Sequence, residues 1–185
     1  MKRLFIAVNI YPSPALLNVY NELRARCNKG KIKWVHAQLF HLTLKFLGET
    51  DEKNLYKITQ VLNKVSKSSE SFNFDLKGLG IFGSSYRPRI IRVNISNEKK
   101  LIQLGNHLRQ ELEKSGFTGD RQNFVPHLTL GRIKQVQDKV YFQKTLNLFK
   151  EVYFQRVEVR EIFLYESILH RDGPEYMVVD KYKLL

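Results

Sequence analysis

His41 and Thr43 stand two residues apart in HLTLKFLG, and His127 and Thr129 repeat that spacing in HLTLGR. In an extended strand side chains alternate between faces, so each histidine shares a face with its threonine. Leu42, Leu44, Leu128 and Leu130 take the opposite faces and are expected to anchor the two strands in a core. The His–Thr faces are then free to look into a cleft. Phosphodiester cleavage needs a base to activate the attacking oxygen and an acid to protonate the leaving one, roughly in line. Imidazole performs either task near neutral pH, because its unperturbed pKa is about 6.5. The threonine hydroxyls can donate to non-bridging phosphate oxygens as charge builds on them. Arg132, in the same segment as His127 and Thr129, is assigned to their face, where it would supply a permanent positive charge. A single histidine in an apolar strand is more often a satisfied core residue; the repetition gives the pair its weight. Two imidazoles fall short of the three or four ligands of a zinc site, and neither motif carries an acid at ligand spacing, so no metal and no other cofactor is expected.

The elements that must position these residues follow from periodicity. Segments 3–10, 32–37 and 41–47 read as strands. Between the first two, Leu16, Val19 or Tyr20, Leu23 and Cys27 recur at helical spacing, with Ser13 as cap, Pro14 in the first turn and Gly30 closing the end. A second helix follows Asp51, with Leu55, Ile58, Leu62 and Val65 on one face, and a third spans about 97–115 through Leu101, Leu104, Leu108 and Leu112. FNFDLKGLGIF and PRIIRVNI read as strands around a glycine-rich loop. NFVPHLTLGRI reads as a strand and DKVYFQKTLNLF as a fourth helix. Strands near 152–168 and 175–184 finish the chain, with a parity switch between Val159 and Ile162 that suggests a bulge. Phe40 and Phe46 share the parity of the leucines and are expected in the core.

The repetition extends beyond the histidines. Val8-Asn9-Ile10 recurs as Val93-Asn94-Ile95, in the same order relative to the His–Thr motifs and at nearly the same offset. The chain is therefore expected to be one domain, residues 1–185, made of two pseudo-repeat halves with motifs at 41–44 and 127–130. The halves should pack about a pseudo-two-fold axis that brings equivalent strands side by side. The expected class is α+β: two pseudo-symmetric lobes, each an antiparallel sheet with helices, and a cleft between them.

Composition narrows the partner. The chain has 185 residues and 43% apolar residues, enough for a real core. Lys and Arg number 31 against 18 Asp and Glu, a formal net charge of +13, which favours an anionic partner with nucleic acid first. One cysteine, Cys27, excludes an intramolecular disulfide and suits a cytoplasmic location. No apolar run approaches the roughly 20 residues of a membrane span, so no membrane association is expected. No exposed apolar stripe is evident, and a monomer is the default.

These residues carry a resemblance. LFIAVNI, HLTLKFLGE, GLGIFGSSYRPRIIRV, FVPHLTLGR and the late LYESIL…GPEYMVV together resemble the two-histidine (2H) phosphoesterase superfamily, and within it the RNA 2′,3′-cyclic phosphodiesterases, also called 2′-5′ RNA ligases. The resemblance covers nearly the whole chain. It implies a bilobal α+β hydrolase without metal or nucleotide cofactor, acting on RNA with 2′,3′-cyclic phosphate ends. It implies opening of that phosphate to a 2′-phosphate and a reverse 2′-5′ joining of RNA ends. It further implies that His41 protonates the departing 3′ oxygen as general acid and His127 activates water as general base. The near-symmetry of the motifs leaves those two roles exchangeable on the residues alone.

Other signals are weaker. Gly78-x-Gly80-x-x-Gly83 matches a dinucleotide fingerprint as a string, but a strand rather than a helix follows, so it reads as a hairpin loop. That loop would border the cleft, with Phe82, Tyr86 and Arg87 as RNA contacts through stacking and charge. His36, His107 and His170 lack a threonine partner and are assigned structural or surface places. Two alternatives stand beside the hydrolase. One is a basic module that holds RNA ends without chemistry; the other is a phosphodiesterase of the same mechanism acting on another cyclic or 2′-5′ nucleotide.

Overall fold

KRLFIAVN forms strand β1, Lys2–Asn9, and its alternation decides what lies on either side of it. Leu4, Ile6 and Val8 join the main core, whereas Phe5 and Ala7 belong to a separate apolar layer with Phe163 and Tyr165. The structure, a computed structural model, describes residues 1–118, 124–171 and 173–185. Helix α1, Pro14–Arg26, starts at Ser13, whose hydroxyl accepts from the Leu16 amide at 3.2 Å. It buries Leu16, Tyr20 and Leu23 and ends at Cys27, three residues before the glycine expected to close it. There follow β2 (Lys31–Trp34), β3 (His41–Thr50), α2 (Leu55–Ser66), β4 (Phe72–Gly83), β5 (Pro88–Ser96) and α3 (Lys99–Lys114). The remainder is β6 (Leu128–Gln135), α4 (Lys139–Asn147), β7 (Tyr153–Val159), β8 (Glu161–Leu169) and β9 (Pro174–Lys183).

All pairing is antiparallel, in two sheets: β3-β1-β8-β9 and β2-β6-β5-β4-β7. The α+β bilobal class expected from the sequence is the one observed. Helices α2 and α3 pack on each other and on β9 and β3, while α1 and α4 pack on β7 and β4. The sheets do not divide the chain at its middle. Strand β2 crosses into the second sheet, and β8 and β9 return to flank β1 in the first. The parity switch near residue 160 is the site of that return: the chain leaves the second sheet at Val159 and enters the first at Glu161, so it is a change of sheet rather than a bulge.

Three further expectations are corrected. The glycine-rich stretch is not the hairpin loop; Gly78, Gly80 and Gly83 lie within β4, and the turn is Ser84–Arg87. Gly78 has φ +72°, and a Cβ there would lie 2.1 Å from the Lys150 carbonyl oxygen, so only glycine lets β4 pass this point. The strand containing the second motif begins at Leu128, leaving His127 just before it, since Pro126 has no amide to give to a ladder. Finally, Phe46 is 51% exposed while Phe40 is fully buried. The register of β3 against β1 slips between Ile6 and Ala7, where Lys45 and Thr43 are the respective partners. The extra residue, Leu44, reverses the alternation and turns Phe46 to the face of Thr43.

Candidate active site

Both His–Thr pairs line one cavity of about 960 Å³ between the lobes. Strands β3 and β6 lie next to one another there, each the carrier of one pair. Leu42, Leu44, Leu128 and Leu130 are buried at no more than 2% exposure, the anchoring role expected of them. His41 Nδ1 donates to the Leu39 carbonyl at 2.8 Å, and His127 Nδ1 donates to the Val125 carbonyl at 2.9 Å. A carbonyl only accepts, so this bond fixes the neutral tautomer of each ring and leaves Nε2 as its free nitrogen. Burial pushes both imidazoles below the ordinary histidine pKa. The backbone carbonyls oppose that shift for each ring; Arg132 and the other histidine reinforce it at His41, and Arg92 and Arg132 reinforce it at His127.

Arg132 lies with its motif in the cavity lining, but not by simple alternation. Five residues separate it from His127, an odd interval that in an unbroken strand would put it on the far face. The ladder of β6 with β5 slips where Gly131 and Thr129 face Ile91 and Arg92, and Leu130 is the extra residue. This bulge re-aims Arg132 to the side of Thr129. It matches the bulge in β3, so Phe46 and Arg132 occupy corresponding places on the two walls. Phe46 was assigned to the core by alternation and is instead a cavity residue.

The walls differ in chemistry. Around His41 the first sheet presents aromatic rings: Phe5 lies 5.0 Å from the imidazole, 5.6 Å from Phe46 and 4.9 Å from Tyr176, whose ring is 5.1 Å from His41. Around His127 the second sheet presents cations: Lys33 faces Arg132 across β2 and β6, and Arg89 lines the rim. Lys45 and Arg109 complete the positive lining, and among the described residues no Asp or Glu joins it.

Phe82 is in the cavity, its ring edge-on to His127 at 4.6 Å between centroids. Tyr86 and Arg87 are not brought there; both are exposed at the hairpin turn, and Tyr86 is 81% exposed. His36 and Trp34 line the cavity, while His107 sits on α3 and His170 pairs with Glu175 at 2.9 Å in the β8–β9 turn. Among the described residues no three His, Cys, Asp or Glu side chains gather where one ion could be held. Tyr176 and Arg92 were missed in the sequence. Tyr176 falls late in the chain with no local motif, whereas Arg92 could have been found by extending the internal repeat, which sets it opposite Ala7.

Two His–Thr pairs facing one basic cavity can hold a phosphate between a proton donor and a proton acceptor. Known proteins of this form agree. The sequence profile described as LigT like Phosphoesterase matches the chain twice, over residues 10–92 and 93–176. The RNA 2′,3′-cyclic phosphodiesterase of Thermotoga maritima is 36% identical over 79% of this chain and 76% of its own length. The protein of the same name from Methanocaldococcus jannaschii is 33% identical over 97% of this chain and 99% of its own. Among solved structures, TT0787 of Thermus thermophilus superposes with a TM-score of 0.79 at 27% identity, covering 98% of this chain and 97% of that one. The LigT of E. coli complexed with 3′-AMP shares the fold at a TM-score of 0.69, covering 99% and 98% of the two chains. The chain belongs to the LigT-like, two-histidine phosphoesterase family.

Proposed function

We propose that this enzyme opens the 2′,3′-cyclic phosphate at RNA ends to a 2′-phosphate, with His127 as general base and His41 as general acid. The observation that supports it is the convergence of both pairs on one cavity, each with its Nδ1 tied to a backbone carbonyl. Water gives its proton to His127 Nε2 and attacks phosphorus. The bond from phosphorus to O3′ breaks, and His41, entering the step as the imidazolium, gives its Nε2 proton to that oxygen, leaving the phosphate on O2′. Charge on the non-bridging oxygens is met by the Thr43 and Thr129 hydroxyls and by Arg132. With the 5′-hydroxyl of a second RNA in place of water, the same proton transfers create a 2′-5′ bond. The aromatic wall of Phe46 and Tyr176 suits a base, since stacking tolerates any nucleobase. The protein acts as a monomer in this reading, since the bulge at Val179 breaks the exposed edge strand β9 against further pairing.

The test is incubation with a 2′,3′-cyclic nucleotide and with an oligonucleotide ending in one, followed by separation of phosphate isomers. A 2′-phosphate product that persists in EDTA is expected. Salt-sensitive binding without product would replace the enzyme by a binding module, and turnover confined to a 2′-5′ oligonucleotide in a substrate panel would replace the substrate.

A further inference from the structure

The repeat places the two histidines in equivalent settings, yet their surroundings are not equivalent. Thr43 faces Ala7 across β1 and β3, and at the corresponding place Thr129 faces Arg92 across β5 and β6. Arg92 lies on the cleft face of the second sheet but does not line the cavity. Its guanidinium carbon lies over the Phe82 ring, 4.6 Å from the centroid, and the same ring meets the His127 imidazole in a T-shaped contact. Gly80 borders Arg92: a Cβ there would stand in ordinary contact with that carbon, at 3.5 Å, and only 2.8 Å from Asn94 Oδ1. Arg92 Nε is buried without a hydrogen-bond partner, and Arg92 has no ion pair among the described residues. An unpaired, half-buried guanidinium is costly, and a cation–π contact offsets only part of that cost. Such a cost is kept where it serves the site.

We infer that Arg92 is a positioning residue that holds the Phe82 ring against His127 and, through its charge, keeps that imidazole in the neutral form a general base needs. The inference deepens the reading above, for it supplies the asymmetry that separates base from acid. Two cations, Arg92 and Arg132, stand on the side of His127, where the side of His41 has Ala7 and Phe46. Of the two, Arg132 is exposed and its field is screened by solvent, whereas Arg92 is half-buried with its guanidinium against the Phe82 ring. The other charged or titratable groups lining the cavity with His127 are His41 and Lys45 from β3, His36, Tyr176 from β9 and the cations Lys33, Arg89 and Arg109.

The deciding measurement is an NMR titration of the His127 ring in the wild type, Arg92→Gln and Arg92→Lys, with kcat/KM against pH for the same proteins. Arg92→Gln should raise the His127 pKa and lower kcat/KM on the acid side of the profile about threefold or more, while His41 moves less. Arg92→Lys should restore the wild-type titration. The inference is overturned if Arg92→Gln leaves His127 unmoved, or shifts both histidines equally as general loosening would. Should Arg92→Gln fail to fold, Arg92→Met is the second variant: a raised His127 pKa with His41 moved less supports the inference, and an unmoved His127 overturns it. The titration needs no substrate, so it remains decisive even if the protein opens no cyclic phosphate.

Discussion

At the scale of single residues, the two imidazoles owe their chemistry to burial and to one backbone hydrogen bond each. Removing either ring should leave the fold intact and lower turnover by roughly 10²–10⁴; His41→Ala and His127→Ala, with circular dichroism as control, test this. The profile of kcat/KM against pH should be bell-shaped and belong to the coupled pair. Because both pKa values are lowered, its acid and alkaline limbs should both fall below the positions ordinary histidines would give. A profile centred well above neutrality would contradict the assignment. The His–Thr pairs were legible in the sequence because two-residue alternation needs no tertiary information. Phe46 was not, and Arg132 reaches the face assigned to it only through a bulge, because the orientation of both depends on one extra residue in each strand. Only the register against β1 and β5 reveals that residue.

Elements are joined at points where small changes should be costly. Gly78→Ala would force a side chain into the Lys150 carbonyl at a positive φ. A loss of about 2–4 kcal/mol in denaturant unfolding is expected, which a surface glycine would not show. Helices α2 and α3 are tied by Glu111, which is 7% exposed and bonded to Lys64 and, at 2.7 Å, to Lys114. These ammonium groups hold its carboxyl at about 2, below the ordinary 4.5. A carboxylate with a lowered folded pKa gives stability that is present above the unfolded value and lost as pH falls through the folded one. Glu111→Gln should therefore flatten the decline of unfolding free energy between about pH 4.5 and 2. The helices themselves were readable from leucine spacing. The final strands were not: the parity switch was visible, but whether the chain bends within a sheet or moves to another depends on the partner strands.

For the whole molecule, a net charge of +13 and a cleft lined by Lys33, Arg89 and Arg132 predict salt dependence. KM for an oligonucleotide should rise with salt more steeply than KM for a cyclic mononucleotide, because each released counterion adds about 0.7 to the logarithmic slope for single strands. Equal slopes would mean that only the terminal phosphate is gripped. Two packed halves were foreseeable from the repeat, and the bilobal α+β class from the family resemblance. The assignment of strands to sheets was not, since β2, β8 and β9 join partners far away in sequence. That exchange has a consequence for synthesis. His41 and His127 both leave the ribosome before β8 and β9, the strands that flank β1 and bring Tyr176 to its place beside His41. A nascent chain paused after β7 holds every proposed acid, base and hydroxyl, yet half of one sheet is missing. The enzyme should therefore be born inactive and switch on only with its last two strands, which spares RNA ends from a half-made catalyst.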